Sequence, residues 1–270
     1  MSNPALSSGL PKRMATIVLA LALALSGALI MTLKHVWRQP GKNIVAAAIA
    51  SRSSIERSDT EAPDNMGWRA SFVRALHRAR WAIGSIALTY VLALLTGVTA
   101  VHLGQPWALQ YRDRIVAQGR TSDPAGRAMR AGAPVKAAFL DASRNLFVGA
   151  VPDTVSGLAL VFPYLYACHR GWVGGIVSVT QDRSSRLNKW PQALYYVSVV
   201  LFQLLPYSLA GGMGVYLGLA VFSPQPLYAG ARWLGFLPPE AVFDVLRVYC
   251  VIPPMFLAAS LWEYLSPWNV

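Results

Sequence analysis

Asp153, Glu263 and Asn145 are the side chains whose chemistry is most out of place in this chain, because each lies in or at the end of a long apolar stretch. A group of this kind is costly at membrane depth, so its presence there points to a proton relay, an ion path or a solute contact. Gln203 belongs to the same set, and Asp244 and Arg247, three residues apart, can pair on one helix and offset each other's cost. Glu263 directly follows Trp262 and can also reach the membrane surface. Asp153 follows Pro152, where proline removes a helix hydrogen bond. Two placements of Asp153 follow. The simpler is an N-cap at the membrane surface; the other is beside a helix break inside the membrane, tolerated only where protein or water surrounds it.

The patterns of catalysis are missing. His35, His77, His102 and His169 stand apart, with no H-E-x-x-H spacing, and Cys168 and Cys250 form no C-x-x-C pair. Both cysteines lie in or at the end of apolar stretches and are expected to be buried free thiols. No G-x-S-x-G and no G-x-x-x-x-G-K-[ST] is present, so serine hydrolysis and nucleotide hydrolysis lack their parts. The run Asp153-Thr154-Val155-Ser156-Gly157 lacks the glycine directly after threonine that an aspartic-protease loop carries, and a second acid would be needed. No enzyme activity, cofactor or metal is expected.

The elements that must position these side chains are apolar. Residues 15–33 carry no charge, and further apolar stretches cover about 81–102, 146–168, 192–222 and 241–262. A helix crossing about 30 Å of hydrocarbon needs about 20 apolar residues. The expected fold class is all-α, a polytopic membrane helix bundle of about five transmembrane helices plus interfacial amphipathic helices. Three parts are expected: an N-terminal anchor (1–33, retained rather than cleaved), a basic polar linker with an amphipathic end (34–80), and a four-span membrane domain (81–270).

Within that frame, Trp68, Phe72, Leu76 and Ala79 predict a basic surface helix ahead of the second span, the other reading being a solvated linker that feeds it. Trp107, Tyr111 and Ile115 predict a second amphipathic helix, and Val135, Ala138, Phe139, Ala142 and Leu146 a third, both at the interface and separated by the turn Thr121–Gly126. The stretch 146–168 is interrupted by Pro152 and Pro163 and reads as a broken helix. In the fourth span Ala210, Gly214 and Gly218 line one face at four-residue spacing, so another helix can approach closely there. Gly171 and Gly175 are expected to serve packing in the same way.

Hydrophobic residues make up 54% of the chain and charged residues 13%, below the roughly 25% of soluble domains, so lipid is the main solvent. The 24 Lys+Arg against 12 Asp+Glu give +12. In a membrane protein that excess sets topology and attracts anionic lipid head groups, and no nucleic-acid role is inferred. With five spans, one side carries 13 Lys/Arg and the other 10, which places 34–80 in the cytoplasm.

Residues 77–267 resemble the stage II sporulation protein M family of integral membrane proteins. The resemblance rests on Phe139 and Asn145 leading into Gly149 and Gly157, the turn with Gly171 and Gly175, Leu204-Leu205-Pro206 ahead of Gly211, Gly214 and Gly218, and Leu261-Trp262-Glu263-Tyr264 with Pro267. Many members carry His-Gly after the Leu-Pro and a Glu about three residues on, where this chain has Tyr207-Ser208-Leu209-Ala210. The resemblance implies a membrane component that works with partner proteins. The expectation is a non-catalytic scaffold or permease-like subunit of a larger complex in the bacterial cytoplasmic (inner) membrane. The alternative is a small-solute or ion transporter with broken helices at Pro152-Asp153 and Pro206/Gly211.

Overall fold

The computed structural model describes residues 67–222 and 232–266. The expected first span, the linker up to residue 66, most of the Pro/Gly-rich loop after Phe222, and Pro267 lie outside the described residues. The chain divides into two units, Met1–Ser71 and Phe72–Val270. Of the first, only the start of one helix is described.

The described residues are helical, with two isolated bridges, Val179 to Ser185 and Trp233 to Leu237. Helix α1 is Trp68–His102, 35 residues without a break. The basic segment 68–80 is therefore the opening of this helix and not a separate surface helix: Ala75, Ala79 and Ala82 are buried on the same face as Ile86 and Tyr90. The boundary drawn at residue 80 falls inside α1. Gly104, at φ +71°, ends it, and α2 (Pro106–Ser122) follows. Asp123 then caps α3 (Pro124–Arg130), its carboxylate accepting from the Gly126 N–H at 3.2 Å.

The stretch expected to cross the membrane at 146–168 instead belongs to a helical hairpin. The first arm runs through α4 (Pro134–Arg144), a π-helical turn (Asn145–Ala150), α5 (Val151–Ser156) and a 3-10 turn (Gly157–Ala159). Leu160, at φ 61°, reverses the chain, and the second arm is α6 (Phe162–Ile176). The helix does break, but at Gly157–Val161 and not at Pro152-Asp153. Pro152 sits in the first turn of α5, where its missing N–H follows directly on the π-turn's looser hydrogen bonding.

Helix α7 (Trp190–Phe222) is continuous through Pro206, so no second break faces the first. Surrounding helices tolerate the proline because its neighbours are packed: Leu204, Tyr207 and Ala210 are all buried. After residue 238 come α8 (Pro239–Tyr249) and α9 (Ile252–Leu265), joined through a short kink.

Directions follow from contacts. Tyr196 reaches Gly174 and Gly211 lies by Pro163, so α6 and α7 are antiparallel. Gly171 packs on Tyr90 and Gly175 on Leu94 and Gly97, so α6 runs parallel to α1. Tyr195 and Tyr216 meet Glu263 and Asp244, which makes α8 and α9 antiparallel to α7. The hairpin thus starts and ends beside the C-terminal end of α1. That end is stitched by His102 to Ser185 at 2.8 Å and by the buried Arg112, which donates to Thr180 O at 2.6 Å and Val179 O at 3.2 Å. Loops 103–133 and 177–189 therefore share one end of the bundle, whereas five straight spans had placed them on opposite sides.

Two further expectations are corrected. Cys168 and Cys250 are free but exposed, on outward faces of α6 and of the α8–α9 kink, because an apolar stretch in a bundle has an outer side as well as a core side. Helix α4 packs mainly along α9 and does not lie apart at an interface: Ala137, Ala138 and Ala142 are buried while Val135 and Phe139 are exposed. The core gathers Ile86, Ala150, Met213, Val248, Ile252 and Phe256.

Candidate functional site

A cavity of about 420 Å³ lies between α1, α6, α7 and α9, with Val177 and Arg186 of loop 177–189 at its edge. Tyr90, Tyr195, Tyr196 and Tyr207 give it a tyrosine wall, and His169, Arg170, Arg186, Gln203 and Glu263 supply its polar groups. That combination of apolar surface with a few converging polar groups is the usual make-up of a ligand site.

The hairpin builds one side. Asp153 on α5 is 3% exposed and pairs with Arg170 on α6, which donates through both terminal nitrogens, one of them at 3.2 Å from Oδ1. Asp153 is thus neither an N-cap nor at the surface. Arg170 also lies 3.9 Å over the Tyr207 ring, so its charge meets a carboxylate on one side and a π-face on the other. A second buried network ties the hairpin to α7 and α9. Tyr207 Oη donates to Asn145 Oδ1 at 2.8 Å, Asn145 Nδ2 donates to Asp141 at 2.9 Å, and Ser260 donates to the same carboxylate at 2.7 Å. Tyr207 is the hub of both networks.

The other side is built by the ends of α7 and α9. Gln203 Nε2 donates to Glu263 Oε2 at 2.7 Å, and Tyr195 donates to the Glu263 carbonyl at 2.7 Å. Trp262 donates to Ser198 at 2.8 Å, fixing the turn from which Glu263 projects. Glu263 Oε1 accepts no hydrogen bond among the described residues. Arg186 makes no side-chain hydrogen bond among them, and its Nε is shielded from solvent. Its backbone is held by Ser178 O at 2.8 Å. Nearby, the Thr180 and Ser184 hydroxyls hold the Asp182 carboxyl below the usual carboxylate range.

The small residues are spent within the chain. A Cβ on Gly214 would sit 2.7 Å from Thr154 O, and one on Gly212 2.5 Å from Ile83 Cα. Gly218 meets Gly157 and Leu160, so the face of Ala210, Gly214 and Gly218 is filled by the hairpin. Thr154 uses that closeness, donating to Ala210 O at 2.8 Å. Gly171 and Gly175 give the hairpin's second arm the same closeness to α1.

Of the polar residues singled out in the sequence, Glu263 and Gln203 line the cavity, Asp153 backs it through Arg170, and Asn145 backs it through Tyr207. Asp244 and Arg247 do pair, at 2.8 Å, but at the opposite end of the bundle, where Arg78 and Tyr216 also reach Asp244. Arg170, Arg186 and the tyrosines were not singled out. One signal existed: the apolar stretch continues past Arg170 as Gly171-Trp172-Val173-Gly174-Gly175-Ile176, placing an arginine inside it. Nothing marked its pairing with Asp153, since the two are 17 residues apart on different helices.

Three helical stretches are long and apolar enough to cross a membrane: Trp68–His102, Trp190–Phe222 and Pro239–Leu265. The fold is that of an all-helical protein with the makings of a membrane protein. No protein-family model, no curated protein and no solved structure matches the chain.

Proposed function

We propose that this is a permease-like, non-catalytic, multi-pass protein of the bacterial cytoplasmic membrane, whose cavity holds a small polar solute. The observation that carries this reading is the cavity itself, walled by a broken helical hairpin and lined by groups that are otherwise expensive in lipid. Helices α1, α7 and the α8–α9 pair cross the bilayer, and the hairpin enters it from the side where α1 ends. Non-helical backbone at Leu160 is acceptable there because the tip packs on α7 at Gly218. The resemblance to the stage II sporulation protein M family fits the same reading, with this chain as one subunit among protein partners. Because its glycine faces are already filled from within, partners meet the outer surface of the hairpin, where Phe147, Val148 and Val155 are exposed.

The test is solute flux in proteoliposomes made with the purified protein, comparing parent and Arg186→Gln, a cavity-lining residue whose side chain makes no hydrogen bond among the described residues. Flux that is lost in the variant, with its melting temperature and elution volume in mild detergent kept, supports the reading. A folded protein that moves no small solute, and that leaves native membranes in stoichiometric complex with other chains, favours the scaffold.

A further inference from the structure

We infer that the cavity recognises a zwitterion, a solute carrying a carboxylate and an ammonium on one small frame, with Arg186 as the carboxylate contact and Glu263 as the ammonium contact. The inference rests on the permease reading and names its substrate class.

Three observations lead there. First, the two cavity-facing charges with hydrogen-bonding capacity to spare are of opposite sign. Arg186 has no side-chain partner among the described residues and Glu263 has one oxygen unused, whereas Arg170 is already committed to Asp153 and Tyr207. A guanidinium and a carboxylate left with spare capacity on one cavity are matched by a ligand presenting the opposite pair. Second, the charged groups of the cavity are of both signs, Arg170 and Arg186 against Glu263 on the wall, with Asp153 set behind Arg170 and Asp141 behind Tyr207 and Asn145. In a low-dielectric site a solute of one sign leaves the like-charged groups uncompensated, and a solute carrying both signs meets each with its opposite. Third, the rest of the wall, apart from His169, Gln203 and Gly174, is tyrosine and valine, suited to an apolar body, and the volume of about 420 Å³ falls within the range of small-molecule sites.

The experiment is calorimetric titration of the purified full chain in mild detergent with three matched probes. L-Phenylalanine carries both charges, phenylacetate lacks the ammonium, and phenethylamine lacks the carboxylate. The zwitterion is expected to bind about tenfold or more tighter than either analogue, the effect of one charge-assisted hydrogen bond. Arg186→Gln should remove the preference for phenylalanine over phenethylamine, and Glu263→Gln the preference over phenylacetate. Among the described residues Arg186 hydrogen-bonds no other side chain, so that variant is expected to keep the parent melting temperature. Phenylacetate or phenethylamine binding as tightly as phenylalanine, with Arg186→Gln or Glu263→Gln still weakening it, overturns the zwitterion while the cavity remains a solute site. No heat from any probe, in a protein that nevertheless transports an inorganic ion or a sugar, also overturns it and leaves the permease reading standing. Absence of both binding and flux removes the two together.

Discussion

Gly214→Ala puts the hairpin's attachment to the test. The new Cβ would lie 2.7 Å from Thr154 O and 2.8 Å from Thr154 Cα, against an ordinary carbon contact of about 3.5 Å. Both neighbours are helix backbone and cannot rotate away, so α5 must withdraw from α7 by about 0.8 Å to restore a contact of that length. The Thr154 hydroxyl, now 2.8 Å from Ala210 O, would then stand at about 3.6 Å, outside hydrogen-bond range. Overpacking of about 1–3 kcal/mol joins a lost interhelical hydrogen bond of about 1 kcal/mol, giving a cost of about 3 kcal/mol. At roughly 2–4 °C per kcal/mol, the melting temperature in mild detergent should fall by about 6–12 °C. Gly84→Ala is the control, since nothing lies within 4 Å of the added Cβ, and it should be neutral or slightly stabilising. A Gly214→Ala protein that melts with the parent would falsify the close approach of hairpin and α7, and with it the cavity wall.

Three other outcomes follow from the same geometry. In a cysteine-free background, Ala131→Cys and Asn188→Cys should react with a membrane-impermeant maleimide from the same side of the membrane; labelling from opposite sides would mean that 146–168 crosses after all. Arg170→Met should cost about 3–5 kcal/mol by stranding the buried Asp153, and adding Asp153→Leu should recover most of it; a double variant as unstable as the single, in thermal unfolding, rejects the buried pair as the cause. Arg112→Met removes the two carbonyl contacts that pin loop 177–189, so trypsin should cut after Arg183 or Arg186 faster than in the parent, and an unchanged digestion pattern counts against that clamp.

The apolar lengths were legible in the chain because lipid and core alike demand uninterrupted helix, and hydropathy counts residues along it. So were the apolar part of α1, most of α7, the turn at Thr121–Gly126, and the close-packing roles open to Gly214 and Gly218, which depend on residue type and local spacing. Even the interruption of 146–168 was visible, since proline and glycine act on their own neighbourhood. What spacing along one chain could not say is where a broken helix goes next. One left-handed residue, Leu160, turned a span into a hairpin and brought loops 103–133 and 177–189 to one end. That reversal decided which groups meet. It set Asp153 against Arg170, placed Tyr207 between Arg170 and Asn145, and let Arg186 and Glu263 face one cavity from segments far apart in sequence. Residue type fixed what each of these side chains can do in a medium that will not solvate it; only the tertiary structure chose its partner, because charge pairing acts through distance in space and leaves no period in the sequence.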